Sequence, residues 1–226
     1  MLSRKFIKPV ADRLIRPLIL RYTASERGYR YGDIRIRVKP GVFHPGFFFS
    51  TKVLLKYLKK LDLDEQRFLE IGAGSGLVSL FAAKRGAIVT ATDISEIAFA
   101  NIAENALRNS VEIAVIHSDL FENLPHQPFD FIVVNPPFFP KSPQNEAQFA
   151  WYCGKNHDYF HRFFAQLPTF ISPETTVLMI LSDVCDIVEI QQIARENGLA
   201  MTTVFRKKVW WETNTIFRVE KSGALR

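Results

Sequence analysis

The sequence predicts a doubly wound α/β fold: a seven-stranded, mostly parallel sheet with helices on both faces and an antiparallel hairpin at its C-terminal end. Three observations carry this expectation. Compact apolar runs that read as strands buried on both faces recur at 67–71, 87–91, 111–117, 129–134 and 176–181, with amphipathic helical stretches between most of them. A glycine-rich turn, Gly72, Gly74 and Gly76, opens directly after the first run. Two closing strands, 199–205 and 213–219, are joined by a basic and aromatic connection. Sheets of this kind bind ligands at the carboxyl ends of their central strands.

Taken in order, Phe6, Val10, Leu14 and Leu18 recur every four positions and predict a helix from residue 6 to about 22, interrupted at Pro17. Gly32-Asp33 then turns between Tyr29-Arg30-Tyr31 and the alternating run Ile34-Arg35-Ile36-Arg37-Val38, a short hairpin with one buried face. The stretch 42–49 is too aromatic, and too broken by Pro45 and Gly46, to be a helix. Ser50 is the predicted N-cap of the first long helix, whose apolar face is Val53, Leu54, Tyr57, Leu58 and Leu61. Further helices are expected at 77–85, 94–108, 157–167 and 186–197, the last stopped by Gly198. Residues 1–49 therefore read as a helix-and-hairpin extension, and 50–226 as the main domain.

The 226-residue chain of 25.9 kDa is 47% hydrophobic and 23% charged, enough for one large domain with at most a small appendage. That balance excludes a disordered or fibrous chain, and no self-similar period points to a solenoid. No stretch approaches the roughly 18 consecutive apolar residues that span a bilayer, so no membrane partner is expected. Cys153 and Cys185 fit a reducing compartment, the cytoplasm, and lack the paired spacing of a zinc site, so no metal is predicted. The +6 net charge is unevenly placed: residues 1–39 hold eleven Lys and Arg against three acids, and the remainder 18 basic against 20 acidic side chains. Such a basic arm is either solvated surface or a contact for RNA, the ribosome or another anionic partner.

The turn Glu70-Ile71-Gly72-Ala73-Gly74-Ser75-Gly76-Leu77 carries the first chemical signal. Alternate glycines let the backbone turn sharply and approach a ligand closely, with helix N–H groups open behind it. The spacing differs from the G-x-G-x-x-G of dinucleotide sites, and an acid precedes it. A carboxylate repels a pyrophosphate but stabilises an ammonium and a sulfonium, so the loop predicts the cationic cofactor S-adenosylmethionine. Asp93, at the second strand's end, is placed to accept from both ribose hydroxyls, with Ile94 beside it to cover one adenine face. Asp119 closes the third strand; with Leu120 it is placed to meet the adenine amino group and flank the ring.

The fourth strand ends in Asn135-Pro136-Pro137-Phe138. Two prolines cannot continue a ladder and they fix φ, so the corner is stiff and presents the Asn135 side chain and the Pro136 carbonyl at defined places. Both are acceptors, matched to the two N–H donors of a planar amide or aromatic amine. Holding those hydrogens orients the nitrogen and stabilises the positive charge that develops as an N–C bond forms. Phe138 is placed to stack on the planar group. No strong general base is needed, because the nitrogen becomes acidic only once alkylated.

Glu-x-Gly-x-Gly-x-Gly followed by Asn-Pro-Pro-Phe resembles the class I S-adenosylmethionine-dependent amino-methyltransferases, whose Asn/Asp-Pro-Pro-Tyr/Phe signature marks methylation of planar nitrogen. The resemblance runs from about residue 42 to 220. It implies a Rossmann-like fold, a cofactor site of Glu70, Gly72, Gly74, Gly76, Asp93 and Asp119, and a catalytic corner of Asn135, Pro136 and Phe138. The run 154–159, Trp211-Glu212-Thr213-Asn214 and the short length are similar to compact release-factor glutamine methyltransferases, which implies a release factor or ribosomal protein as acceptor. Phe47-Phe48-Phe49-Ser50-Thr51 departs from that subgroup, and an RNA base with an exocyclic amine stays open as the alternative. A non-catalytic, cofactor-binding scaffold is the third reading.

Other residues promise less. His44 beside Pro45 reads as a turn histidine, and His157, Asp158 and His161 as ordinary helix-start residues rather than metal ligands. Trp210 and Trp211 beside Lys207-Lys208 either stack on a ligand or guard the sheet edge. Cys153 reads as a small packing residue.

Overall fold

Residues 21–223 are described by the structure, a computed structural model. The helix expected over 6–22 lies outside them but for its last residues. A hairpin of β1 (Arg27–Tyr31) and β2 (Ile34–Val38) comes first, turning at Gly32-Asp33. Along β2, Ile34, Ile36 and Val38 are buried while Arg35 and Arg37 are exposed, as the alternation requires. α1 (Phe49–Leu58) follows, then β3 (Arg67–Ile71), α2 (Leu77–Ala83), β4 (Ile88–Asp93), α3 (Glu96–Arg108), β5 (Ala114–His117) and β6 (Phe131–Val134). α4 (Asp158–Gln166), β7 (Thr176–Ser182), α5 (Ile187–Glu196), β8 (Leu199–Val209) and β9 (Glu212–Lys221) complete the chain.

The seven-stranded sheet has the order β5-β4-β3-β6-β7-β9-β8. Neighbours from β5 to β7 pair in parallel, and β9 runs antiparallel to both β7 and β8. Starting at β3, the chain winds outward to β5, then crosses back to β6 on the other side of β3. The strand order thus reverses between β3 and β6, where such sheets open a crevice.

Each strand feeds two cores. Val133, Leu178, Ile180 and Ile216 pack under Val53 and Leu54 of α1, whereas Ile132, Val134, Met179 and Leu181 pack under Phe160, Phe163 and Phe164 of α4 and Ile190 of α5. Burial on both faces explains why these strands read as continuous apolar runs.

Two expectations are corrected. Ser50 does not cap α1: Phe48 holds the N-cap position with no side-chain cap bond, and Ser50 lies fully buried in the first turn. The basic and aromatic connection near the C-terminus is mostly strand, because β8 continues through Arg206, Lys207 and Lys208 to Val209, leaving only Trp210 and Trp211 to turn. Trp210 takes the left-handed conformation there, with φ 54°. Helix and strand ends otherwise shift by a few residues; Asp186, for example, caps α5 from outside it, accepting from Glu189 N–H.

A feature with a sequence signal that was missed fastens the hairpin. Asn101, Asn105 and Asn109 recur every four residues on α3, and their carboxamides pair with the free edge of β2 as another strand would. Asn109 Oδ1 accepts from Arg35 N–H at 3.0 Å and Nδ2 donates to Arg35 C=O at 2.8 Å. Asn105 repeats this at Arg37, 2.8 Å each way, and Nδ2 also donates to Ser75 C=O at 3.0 Å. Asn101 accepts from Lys39 N–H and donates to Arg37 C=O. The hairpin is thereby tied to the glycine turn.

Candidate active site

The crevice between β3 and β6 brings the two sequence motifs together. Ile71 pairs in register with Val134, so Gly72 and Asn135 leave adjacent strands side by side. Gly72, Gly74 and Gly76 all have positive φ. At Gly72 a Cβ would meet nothing within 4 Å, leaving the backbone open to a ligand. At Gly76 it would meet Ile102 at 3.1 Å, so there glycine permits close packing of α3.

Glu70 sits beneath this turn, 4% exposed. Its Oε2 accepts from Ser79 N–H at 2.7 Å and from the Ser79 hydroxyl. Burial pushes its pKa up to about 8 against the Ser79 hydrogen bonds, and the neighbouring Asp93 carboxylate adds to the rise. Asp93 ends β4 and closes the turn, Oδ2 accepting from Gly74 N–H at 2.8 Å and Oδ1 from Ser95 N–H at 2.9 Å. Burial raises its pKa too. Beside it, Ile94 is half-buried, its carbonyl accepting from His117 Nε2 at 2.8 Å.

Asp119 lies two residues beyond the end of β5, and its Oδ2 pairs with Arg162 at 2.7 Å; Arg162 also reaches Glu122. Leu120, at φ 53°, directs its side chain into the core under α4 with Phe121 and Leu124.

At the corner after β6, Asn135 Oδ1 is buried without a hydrogen-bond partner. Pro136 is buried, and Pro137 and Phe138 half-buried. The chain beyond is held by Phe139 N–H donating to Trp151 C=O and Cys153 N–H to Phe139 C=O, both at 2.9 Å. Cys153 is 1% exposed, and burial pushes its thiol up to about 11. Phe43, Phe48 and Trp151 form one aromatic cluster, with ring centroids 4.8–5.3 Å apart. Phe43 also lies over Gly74, where a Cβ would stand 3.8 Å from its own.

Three further polar side chains near this edge were given no individual role by the sequence, although Tyr159 and Asn214 fall within the runs 154–159 and 211–214. The Tyr159 hydroxyl is buried and unpartnered, and burial, with Asp93 and Asp119 nearby, drives its pKa far upward. Ser182 Oγ and Asn214 Oδ1 are likewise buried and unpartnered at the ends of β7 and β9. No motif marks Ser182, and the edge that Ser182 shares with Asn214 exists only once the strands are ordered.

His44 is packed among Tyr22, Tyr29 and Phe47, and burial lowers its pKa. Among the described residues no group of three or more His, Cys, Asp or Glu stands together, and no helix is long and apolar enough to cross a membrane.

Residues 33–152 match the family described as Methyltransferase small domain. The chain belongs to that family. It is a class I S-adenosylmethionine-dependent methyltransferase, and the match covers both the glycine turn and the Asn-Pro-Pro-Phe corner. A Methanocaldococcus jannaschii protein provisionally named a protein N5-glutamine methyltransferase is 32% identical over 185 residues, which is 79% of this chain and 91% of that one. Among solved structures, the Thermus thermophilus 16S rRNA N2 G1207 methyltransferase, in complex with AdoMet and guanosine, superposes with a TM-score of 0.61 at 21% identity, over 85% of this methyltransferase and 50% of that chain. The E. cuniculi Mtq2–Trm112 complex, responsible for methylation of the eRF1 translation termination factor, matches with a TM-score of 0.59 at 20% identity, over 80% of this chain and 99% of that one.

Proposed function

We propose that this methyltransferase transfers the methyl group of S-adenosylmethionine to the side-chain amide nitrogen of a glutamine in a protein of the translation machinery, a termination factor foremost. The observation that carries the reading is the Asn135 carboxamide oxygen, buried and unpartnered one residue past the strand pairing that joins it to the glycine turn. A buried acceptor left unpaired costs about 1–3 kcal/mol, which an N–H donor of an incoming amide relieves. The identity shared with the M. jannaschii protein supports glutamine as the acceptor.

The residues present fit the cofactor. Gly72 offers backbone with no side chain in the way, and the desolvated carboxylates of Glu70 and Asp93 make a site that favours positive charge. S-adenosylmethionine supplies an activated methyl group on a sulfonium. In this reading Asp93 accepts from the ribose hydroxyls with lone pairs not used by Gly74 and Ser95, and Ile94 covers the adenine. Gly74 and Gly76 shape the turn, and Glu70 holds it to α2 through Ser79 while contributing negative charge. Asp119 and Leu120 set the adenine end of the pocket, Asp119 through its remaining oxygen and Leu120 through the backbone of its left-handed turn.

Asn135 Oδ1 and the Pro136 carbonyl accept the two N–H bonds of the acceptor amide, Pro137 keeps the corner stiff, and Phe138 stacks on the amide plane. Alignment of nitrogen and methyl carbon then supplies much of the rate, since well-oriented neighbours reach effective molarities of roughly 10⁵ to 10⁸ M. Residues 50–226 carry this chemistry, and the basic segment before them engages an anionic partner. The two free thiols suit a cytoplasmic enzyme.

One observation favours a second reading. Trp210 and Trp211, 74% and 58% exposed, stand at the β8–β9 turn beyond Lys207 and Lys208, an arrangement able to stack on RNA bases. Incubation with radiolabelled S-adenosylmethionine and cell extract, followed by protease or ribonuclease, separates the two. Label that survives ribonuclease but not protease supports the glutamine reading; the reverse result replaces it with an RNA amine, and no label at all favours a scaffold.

A further inference from the structure

The unpartnered side chains at the sheet's carboxyl edge fall on one face. Ser182 and Asn214 follow Ile180 and precede Ile216 by two residues, so strand alternation points them to the α1 face with those core residues. They are opposite one another in the β7–β9 register. The neighbouring pair Asp183 and Thr213 is bridged by a backbone hydrogen bond of 2.9 Å, so Ser182 and Asn214 form a non-hydrogen-bonded pair, whose side chains lie closest. Both are 0% exposed, as is Ser50 at the start of α1, whose Oγ is also unpartnered. β6 and β7 are parallel neighbours, so Asn135, one residue past Val134, and Ser182, three residues past its partner Met179, leave adjacent strands at the same carboxyl end of the sheet.

Buried hydroxyls and amides are nearly always hydrogen-bonded, so several orphans gathered at one edge and face, next to another orphan at Asn135, form a built polar surface with its complement missing. Its chemistry is specific. Asn214 Nδ2 donates to Glu212 at 2.9 Å, which fixes the carboxamide and leaves Oδ1 as a bare acceptor. Ser182 brings a hydroxyl that donates. Asn135 Oδ1 and the Pro136 carbonyl serve as acceptors for the two N–H bonds of a primary amide, whose carbonyl oxygen then needs a donor of its own.

We propose that Ser182 and Asn214 form a second wall of the acceptor pocket. The Ser182 hydroxyl donates to the carbonyl oxygen of the carboxamide whose nitrogen Asn135 holds, and Asn214 Oδ1 accepts a backbone N–H of the segment that carries it. This rests on the glutamine reading and adds to it how an amide is distinguished from an amine, which has no such oxygen.

The test uses the full chain with radiolabelled S-adenosylmethionine and two acceptors, a purified translation termination factor and total cellular RNA. Ser182→Ala is expected to raise KM for the termination factor about tenfold or more. Cofactor affinity by calorimetry should stay within about twofold, and the melting temperature should hold or rise, because a hydroxyl without a partner is lost. Ser182→Cys, which keeps the volume but donates weakly, should raise KM as well. An unchanged KM in both variants overturns the inference and leaves the glutamine reading standing. So does a fall of several degrees in melting temperature with KM intact, which would assign the hydroxyl to a buried structural water. Wild-type enzyme that labels RNA alone, or neither acceptor, overturns the glutamine reading and this inference with it.

Discussion

Asparagine does opposite work in two parts of this molecule. On α3, Asn101, Asn105 and Asn109 use both ends of each carboxamide on the backbone of the hairpin, replacing a missing strand. At the carboxyl edge of the sheet, Asn214 is fully buried and Asn135 half-buried, yet each keeps a buried oxygen without a donor. The same functional group is satisfied by the chain itself on α3, whereas under the proposed function its partner at the sheet edge is the incoming acceptor. A satisfied buried amide contributes stability, and an unsatisfied one costs it, so the second kind persists for a reason outside the fold.

That contrast breaks most sharply at Asn135. Asn135→Ala should lower kcat roughly a hundredfold or more, the loss seen when a transition-state hydrogen-bond partner is removed. Calorimetry should show cofactor affinity nearly intact, and the melting temperature should not fall; unchanged turnover would remove the corner from the chemistry. Asn105→Ala is the converse experiment. It strands the Arg37 N–H and the Ser75 carbonyl, so denaturant unfolding should show a loss of about 2 kcal/mol with kcat close to wild type. A large kcat defect without destabilisation would erase the distinction between the two sets.

Glu70 sharpens the comparison because it combines both roles. Glu70→Gln should weaken S-adenosylmethionine binding about tenfold while leaving the fold intact; equal affinity would argue against a site built for positive charge. Its pKa of about 8 lies above the ordinary 4.5, so the folded chain holds the proton more tightly than the unfolded one. The stability this group contributes is therefore full below pH 4.5 and is lost as pH rises to about 8, a slope in melting temperature that Glu70→Gln should flatten. Binding of a cation favours the ionised form, so calorimetry at pH 7 in buffers of different ionisation enthalpy should register proton release. The smallest effect is expected at Tyr159, where Tyr159→Phe deletes an orphan hydroxyl near Asp93 and Asp119: melting should hold or rise slightly, with cofactor affinity reduced by roughly threefold or less.

Much of the candidate site rests on signals carried by the sequence itself. Alternating glycines after a strand, acids at Glu70 and Asp93, and two prolines behind Asn135 are local patterns whose physics acts within a few residues. The Asn101, Asn105 and Asn109 spacing was equally visible, and was overlooked because an asparagine face on a helix ordinarily meets water. Two local readings failed where distant packing prevailed. Ser50 looked like a cap but is buried in the first turn of α1, and Lys207 with Lys208 looked like a loop but continues a strand, paired residue for residue with β9.

The sequence by itself determined the α/β class, the glycine turn after β3 and the stiff Asn-Pro-Pro corner after β6, because backbone conformation and charge at those points depend on neighbours along the chain. Tertiary structure alone decided that Gly72 and Asn135 stand side by side, and that Ser182 faces Asn214 on the α1 side of the sheet. The reason is that strand order and register are set by which apolar faces bury together, a property of the whole core that no short stretch encodes.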